Sequence, residues 1–451
     1  NRFCNRNNCS INTGAISAWG SKQHLFARHR INPLDCFAHL PIILFNMHNS
    51  QYYIDLESAY GAHNYHPIPV VISRASGVEM WDVEGKRYVD FLSGYSAVNQ
   101  GHCHPRIIKA LTDQAAALTL TSRAFYNDRL GEYERFITQL LGYDKLLPMN
   151  TGAEAVETGI KLARRWAYDV KGIEENKARI IVCSENFHGR TSTIISFSTD
   201  PSSHKRFGPF MPGFDVIPYN DLEALRLALE NKDVAGFLVE PIQGEAGIVM
   251  PDKGYLFQAK AMCEAANVLF IADEIQTGLC RTGKMLCCDH ENIKPDILLL
   301  GKALSGGTFP VSAVLSRDEV MLTIKPGEHG STFGGSPLAS IVATESLKVL
   351  VDENMAENAI KMGELLRDGL AAIQSPLISE IRGMGLMNAI VINHQNPDAA
   401  WLICETFMKN GLLAKPTHGD KIRLAPPLVI NAAQVEEAIA IIDKSLKECI
   451  V

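Results

Sequence analysis

Val268-Leu-Phe-Ile-Ala-Asp273 sets the architecture: five apolar residues run without a polar break and end on a carboxylate. A strand with one wet face would alternate, so an unbroken run marks a strand covered on both faces, as in a parallel sheet packed between helices. Val234-Ala-Gly-Phe-Leu-Val239 and Ile297-Leu-Leu-Leu-Gly301 repeat the pattern and lead into Glu240 and Lys302. One charge after a strand is ordinarily a solvated end. Three such charges in one stretch point to a cleft, because ligands of open parallel sheets sit beyond the carboxyl ends of the strands.

Further apolar runs at 179–183, 215–218 and 311–315 alternate with helical patterns at 104–118, 128–141, 152–168, 221–230 and 255–267. That is the α/β signature. Beyond residue 336 longer helices dominate (337–351, 355–373, 397–410, 433–448) with a few strands between them. The expected organisation is a large domain over 91–335 with a central, mostly parallel sheet covered by helices. A smaller α+β domain is expected over 336–451, with the segment 51–90 packing against it. Residues 1–50 read as an extension: Arg2, Arg6, Lys22, Arg28 and Arg30 face only Asp35. An acid-poor lead of this kind resembles an organellar transit peptide, whereas a start at Met47 implies a cytoplasmic enzyme. The expectation is cytoplasmic, with the mitochondrial matrix as the alternative.

The 451 residues carry 43 basic and 50 acidic side chains, net −7, which disfavours a nucleic-acid binder. No apolar run reaches the roughly 20 residues of a membrane-spanning helix. Eleven cysteines, an odd and sparse set, read as reduced thiols. His102-Cys103-His104 lacks a second ligand pair at zinc spacing, so no metal is expected.

A lysine after a buried strand, followed by Ala303, Ser305, Gly306 and Gly307, is partly desolvated; its pKa falls and the neutral amine can attack a carbonyl. An aspartate in the same cleft suits a pyridinium nitrogen. Lys302 with Asp273 therefore suggests pyridoxal 5′-phosphate. Asn150-Thr-Gly-Ala-Glu154 opens a helix where a phosphate can sit, and Gly330-Ser-Thr-Phe-Gly-Gly335 is a second candidate. Gly278 to Lys284 has Met285 where a P-loop needs Ser or Thr, and Gly383-Met-Gly385 lacks a later glycine, so neither ATP nor NAD is supported.

Tyr60-Gly-Ala-His-Asn-Tyr-His-Pro67, Ser96-Ala-Val-Asn-Gln-Gly-His-Cys-His-Pro105, Glu240-Pro-Ile-Gln-Gly-Glu245, Ala272-Asp-Glu-Ile-Gln-Thr-Gly278, Leu300-Gly-Lys-Ala-Leu-Ser-Gly-Gly307 and Lys415-Pro-Thr-His-Gly-Asp420 resemble the class III aminotransferases of fold type I. The likeness covers roughly residues 52–448. It implies that Lys302 holds the cofactor aldehyde and later moves the proton, Asp273 pairs with the ring nitrogen, Gln276 meets the ring hydroxyl, and Phe187 stacks on the ring. It also implies phosphate binding by the backbone of Gly152 and Ala153, with Thr332 supplied by the neighbouring subunit of a homodimer.

Within the family, the Gly-Ala-His-Asn-Tyr and Lys-Pro-Thr-His-Gly-Asp stretches point to ornithine as amino donor and 2-oxoglutarate as acceptor. The resemblance gives Arg423 the α-carboxylate of glutamate, and Glu245 the task of masking it while ornithine is bound. It gives Arg190 the far carboxylate, and Tyr65 and Tyr95 the ornithine end. His188 stands where family members often carry tryptophan. Rival expectations are a class III enzyme for acetylornithine or 4-aminobutyrate, an aminomutase, and a non-catalytic protein of the same fold.

Overall fold

The computed structural model describes residues 49–449, so most of the expected 1–50 extension lies outside the described residues. Asn49 caps the helix Ser50–Tyr60, which has no buried residue. Strands β1 (Ile72–Ser76), β2 (Glu79–Asp82) and β3 (Arg87–Asp90) follow as an antiparallel meander.

The centre is a seven-stranded sheet of β4 (Lys145–Met149), β5 (Arg179–Cys183), β6 (Phe214–Ile217), β7 (Val234–Val239), β8 (Leu269–Asp273), β9 (Ile297–Leu300) and β10 (Ser312–Ser316). The spatial order is β4-β10-β9-β8-β7-β5-β6. All pairs are parallel except those of β10, which runs antiparallel to β4 and β9. Every residue of β7, β8, β9 and β10 is buried, as their unbroken apolar runs require. Pro148, which cannot donate to a ladder, lies in edge strand β4.

The helix Gly152–Trp166 crosses this sheet. A capping box, Thr151 with Glu154, starts it, and Val156, Ile160 and Ala163 are among its buried residues. At Gly159 the helix comes so close to the sheet that a Cβ would lie 2.9 Å from Leu299 Cδ2. Beyond it, β11 (Ile378–Met384), β12 (Met387–Ile392), β13 (Leu412–Leu413), β14 (Lys415–Thr417) and β15 (Lys421–Leu424) complete the strands. A second sheet has the order β11-β12-β15-β14, while β13 pairs in parallel with β3, tying residues 87–90 to the C-terminal part of the chain.

Candidate active site

Strand β8 delivers Asp273, 4% exposed, into the interior beyond the sheet. Its Oδ1 accepts the Ile275 N–H at 3.1 Å, and its Oδ2 lies 2.6 Å from His188 Nδ1. That geometry requires a proton on Nδ1. Burial opposes charging of the imidazole, yet the hydrogen bond and charge of Asp273, with Glu240 nearby, outweigh it and raise the pKa. His188 Nε2 is buried and has no hydrogen-bond partner among the described residues.

Lys302 follows β9 with φ +42°, a left-handed backbone that side-chain-bearing residues adopt at a cost of about 1–3 kcal/mol. Neighbours hold it there: Ser305 Oγ donates to Lys302 O at 2.8 Å, and Gln100 Nε2 donates to Ala303 O at 2.9 Å. Burial of the ammonium lowers its pKa, although Glu245, Asp273 and Glu240 pull the other way. The result is an amine that loses its proton more readily than a surface lysine.

Around this pair the helix Gly152–Trp166 points its N-terminus, whose first N–H groups, at Gly152 and Ala153, have no acceptor within the helix. A Cβ at Gly152 would press on Ile275, two residues past Asp273, at 3.2 Å. Asn150 Nδ2 donates to Ser331 Oγ at 2.7 Å, which brings the loop bearing Thr332 against this end of the helix; Thr332 itself is exposed. Gln276 packs against the backbone of Gly244, where a Cβ would fall 1.5 Å from its Oε1.

At the other end Arg423, on β15, is 4% exposed and meets Glu245 Oε1 at 2.5 Å, with its Cζ 4.6 Å from the Tyr95 ring centroid. Burial works against the Glu245 charge, but Arg423 and Lys302 hold its pKa below the ordinary value. Tyr95 owes its position to four successive positive φ angles at Ser93, Gly94, Tyr95 and Ser96. This turn is anchored where Ser93 Oγ donates to Ala425 O at 2.7 Å, two residues from Arg423. Arg190 is exposed, its Cζ 5.6 Å from the Phe187 ring centroid. Tyr65 is 63% exposed, with Lys415 Nζ 6.0 Å from its ring centroid.

Residues 60–446 match the family aminotransferase class-III. The chain belongs to the class III aminotransferases. This class III aminotransferase is 60% identical over 398 residues to the mitochondrial ornithine aminotransferase of Rattus norvegicus, covering 88% of this chain and 91% of the relative. To the ornithine aminotransferase of Emericella nidulans it is 55% identical, over 89% and 91% of the two chains. Among solved structures, the ornithine aminotransferase of Toxoplasma gondii superposes with a TM-score of 0.88 at 48% identity, covering 90% of this chain and 95% of that one. An acetylornithine aminotransferase from Elizabethkingia anophelis gives 0.82 at 55% identity, over 89% and 100%.

The aminotransferase site fits pyridoxal 5′-phosphate. A buried carboxylate held at fixed orientation, an amine of lowered pKa and a helix end with free N–H groups match the cofactor's ring nitrogen, aldehyde and phosphate in chemical character. Two buried residues carry no role from the resemblance. Glu240, 6% exposed, accepts N–H bonds from Phe187 and Gly244; its place after an all-apolar run was the available signal. Arg281, 0% exposed, donates to Leu386 O, Pro426 O and Asn99 Oδ1 and has no carboxylate partner among the described residues; no sequence pattern distinguishes it from a surface arginine.

Proposed function

We propose that this class III aminotransferase transfers the δ-amino group of L-ornithine to 2-oxoglutarate, giving glutamate 5-semialdehyde and glutamate, with pyridoxal 5′-phosphate as cofactor. One observation carries the reading: Arg423 is paired with Glu245 beside Tyr95. A dual-substrate enzyme must offer a guanidinium to glutamate's α-carboxylate and hide it from ornithine's δ-ammonium end. A carboxylate that can swing away does both. The rat and fungal relatives, named ornithine aminotransferases, support the same substrate.

When bound, the cofactor supplies an aldehyde for amines and a ring that stabilises negative charge at carbon. Asp273, fixed by His188, keeps a proton on the ring nitrogen. Lys302 Nζ, whose proton is loosened by burial, would hold the aldehyde and, once displaced, would carry the proton to and from the substrate carbon. Phe187 would stack on the ring, Gln276 would meet its hydroxyl, and the N–H groups of Gly152 and Ala153 would hold the phosphate. Thr332 of a second copy completes the phosphate site in a homodimer, a role compatible with its exposure in this chain. Arg190 takes the far carboxylate of either substrate, and Tyr65 and Tyr95 line the ornithine end.

The acetylornithine aminotransferase structure at 55% identity favours a second reading, the acetylated donor. Turnover of ornithine, acetylornithine and 4-aminobutyrate compared side by side separates them. The first test is simpler: ornithine added without keto acid should change the cofactor's visible absorbance, and 2-oxoglutarate should restore it. An unchanged spectrum overturns the proposal. For location, the mitochondrial names of the rat and Drosophila relatives favour the matrix over the cytoplasm.

A further inference from the structure

Glu240 ends a strand whose six residues are all buried, and is itself 6% exposed. No step above uses it. Its carboxylate is divided between two segments of the site: Oε1 accepts the Phe187 N–H at 2.8 Å and Oε2 the Gly244 N–H at 3.2 Å. Phe187 and Glu245, the residue after Gly244, line one cavity of about 160 Å³ together with Asp200 and His418. One side chain therefore pins two walls of that cavity to a single strand end. Gly244 is also the surface on which Gln276 rests, so its position bears on a second site residue.

A buried carboxylate is costly, but a leucine or methionine here would leave the Phe187 and Gly244 N–H groups without an acceptor. Burial and the nearby Asp273 charge push this acid up to about 7, with His188 and the two N–H groups opposing them. The two N–H bonds make this side chain a link between two segments of the site and not a packing group.

We propose that Glu240 is a positioning residue that sets the spacing between the Phe187 wall and the Glu245 gate, and thereby the preference for ornithine over glutamate. This rests on the aminotransferase reading above. A glutamine offers one carbonyl oxygen and an amino group, so only one of the two N–H groups keeps an acceptor; an aspartate keeps both oxygens on a shorter stem.

The holoenzyme is tested by single-turnover absorbance with ornithine and with glutamate, for wild type, Glu240→Gln and Glu240→Asp. Wild type unresponsive to ornithine would remove the functional reading itself, before any variant is considered. With a responsive wild type, Glu240→Gln should raise the concentration of ornithine for half-maximal rate about tenfold, while the glutamate half-reaction changes less than about threefold. The bound-cofactor spectrum should persist. Glu240→Asp should move the same ratio in the same direction by less, and it decides the matter if the glutamine variant does not fold. An unchanged ratio, or equal loss in both half-reactions, overturns the proposal.

Discussion

Arg423 and Glu245 form an ion pair at 2.5 Å in which the arginine is almost wholly buried and the carboxylate side chain retains 23% exposure. The asymmetry gives the pair a direction of movement. Glu245 has water to move into, whereas Arg423 is fixed by β15 and by the Tyr95 ring.

Removing the fixed member should hurt one substrate selectively. Arg423→Ala is expected to slow the glutamate half-reaction roughly a hundredfold, the equivalent of about 3 kcal/mol for a charge-assisted contact. The ornithine half-reaction should fall by less than about tenfold. Glu245→Gln should do the reverse, leaving the guanidinium unmasked. Stopped-flow absorbance with each amino donor alone reads both, and equal losses in either variant contradict the division of labour.

Lys302→Ala should abolish the covalent link to the cofactor and slow transamination by more than the ~10²–10⁴-fold typical of a single acid–base group, since the lysine is also the proposed capture site. The positive φ at 302 suits alanine as poorly as lysine, so melting temperature should change by only a few degrees. Borohydride reduction followed by peptide mass mapping checks the position: a label on another lysine disproves the assignment.

How much of this was readable beforehand depended on burial. The runs 179–183 and 234–239 match β5 and β7 residue for residue, while those at 268–272 and 311–315 start one residue ahead of the fully buried β8 and β10. β6, an edge strand with mixed burial, lies one residue earlier than its run at 215–218 suggests. The helix Ser50–Tyr60 was missed because it buries nothing and so carries no apolar stripe. The left-handed turn that aims Tyr95 was invisible, since only Gly94 among its four residues favours positive φ. That Lys302 and Asp273 share one buried region could be read from strand ends alone. The partner of Asp273 could not, for nothing in the sequence says that His188 crosses to a strand 85 positions away.

Gly244→Ala tests the ring contact proposed for Gln276. The new methyl would overlap Gln276 Oε1 and stand 3.2 Å from Met387 Cε, so the flexible amide must swing away. Overpacking of this kind costs about 1–3 kcal/mol, a modest fall in melting temperature. Cofactor affinity and its absorbance maximum should shift more visibly, because Gln276 leaves its place. Titration of the apoprotein with pyridoxal phosphate measures this, and unaltered affinity would remove the ring-contact role of Gln276.

His188 gives the fold a pH dependence of definite sign. The ring binds its proton more tightly in the folded protein than at the ordinary value of 6.5. Its contribution to stability is therefore fully present below pH 6.5 and is lost as pH rises through the folded value. Glu240, raised to about 7, has the same sign, so wild type alone cannot separate the two. His188→Gln can: it keeps a side-chain N–H that can be offered to Asp273 but does not titrate. Its melting temperature should fall less steeply than wild type above pH 6.5. Parallel curves for the two proteins would mean that the imidazole is neutral across the range and that Asp273 alone orients the site.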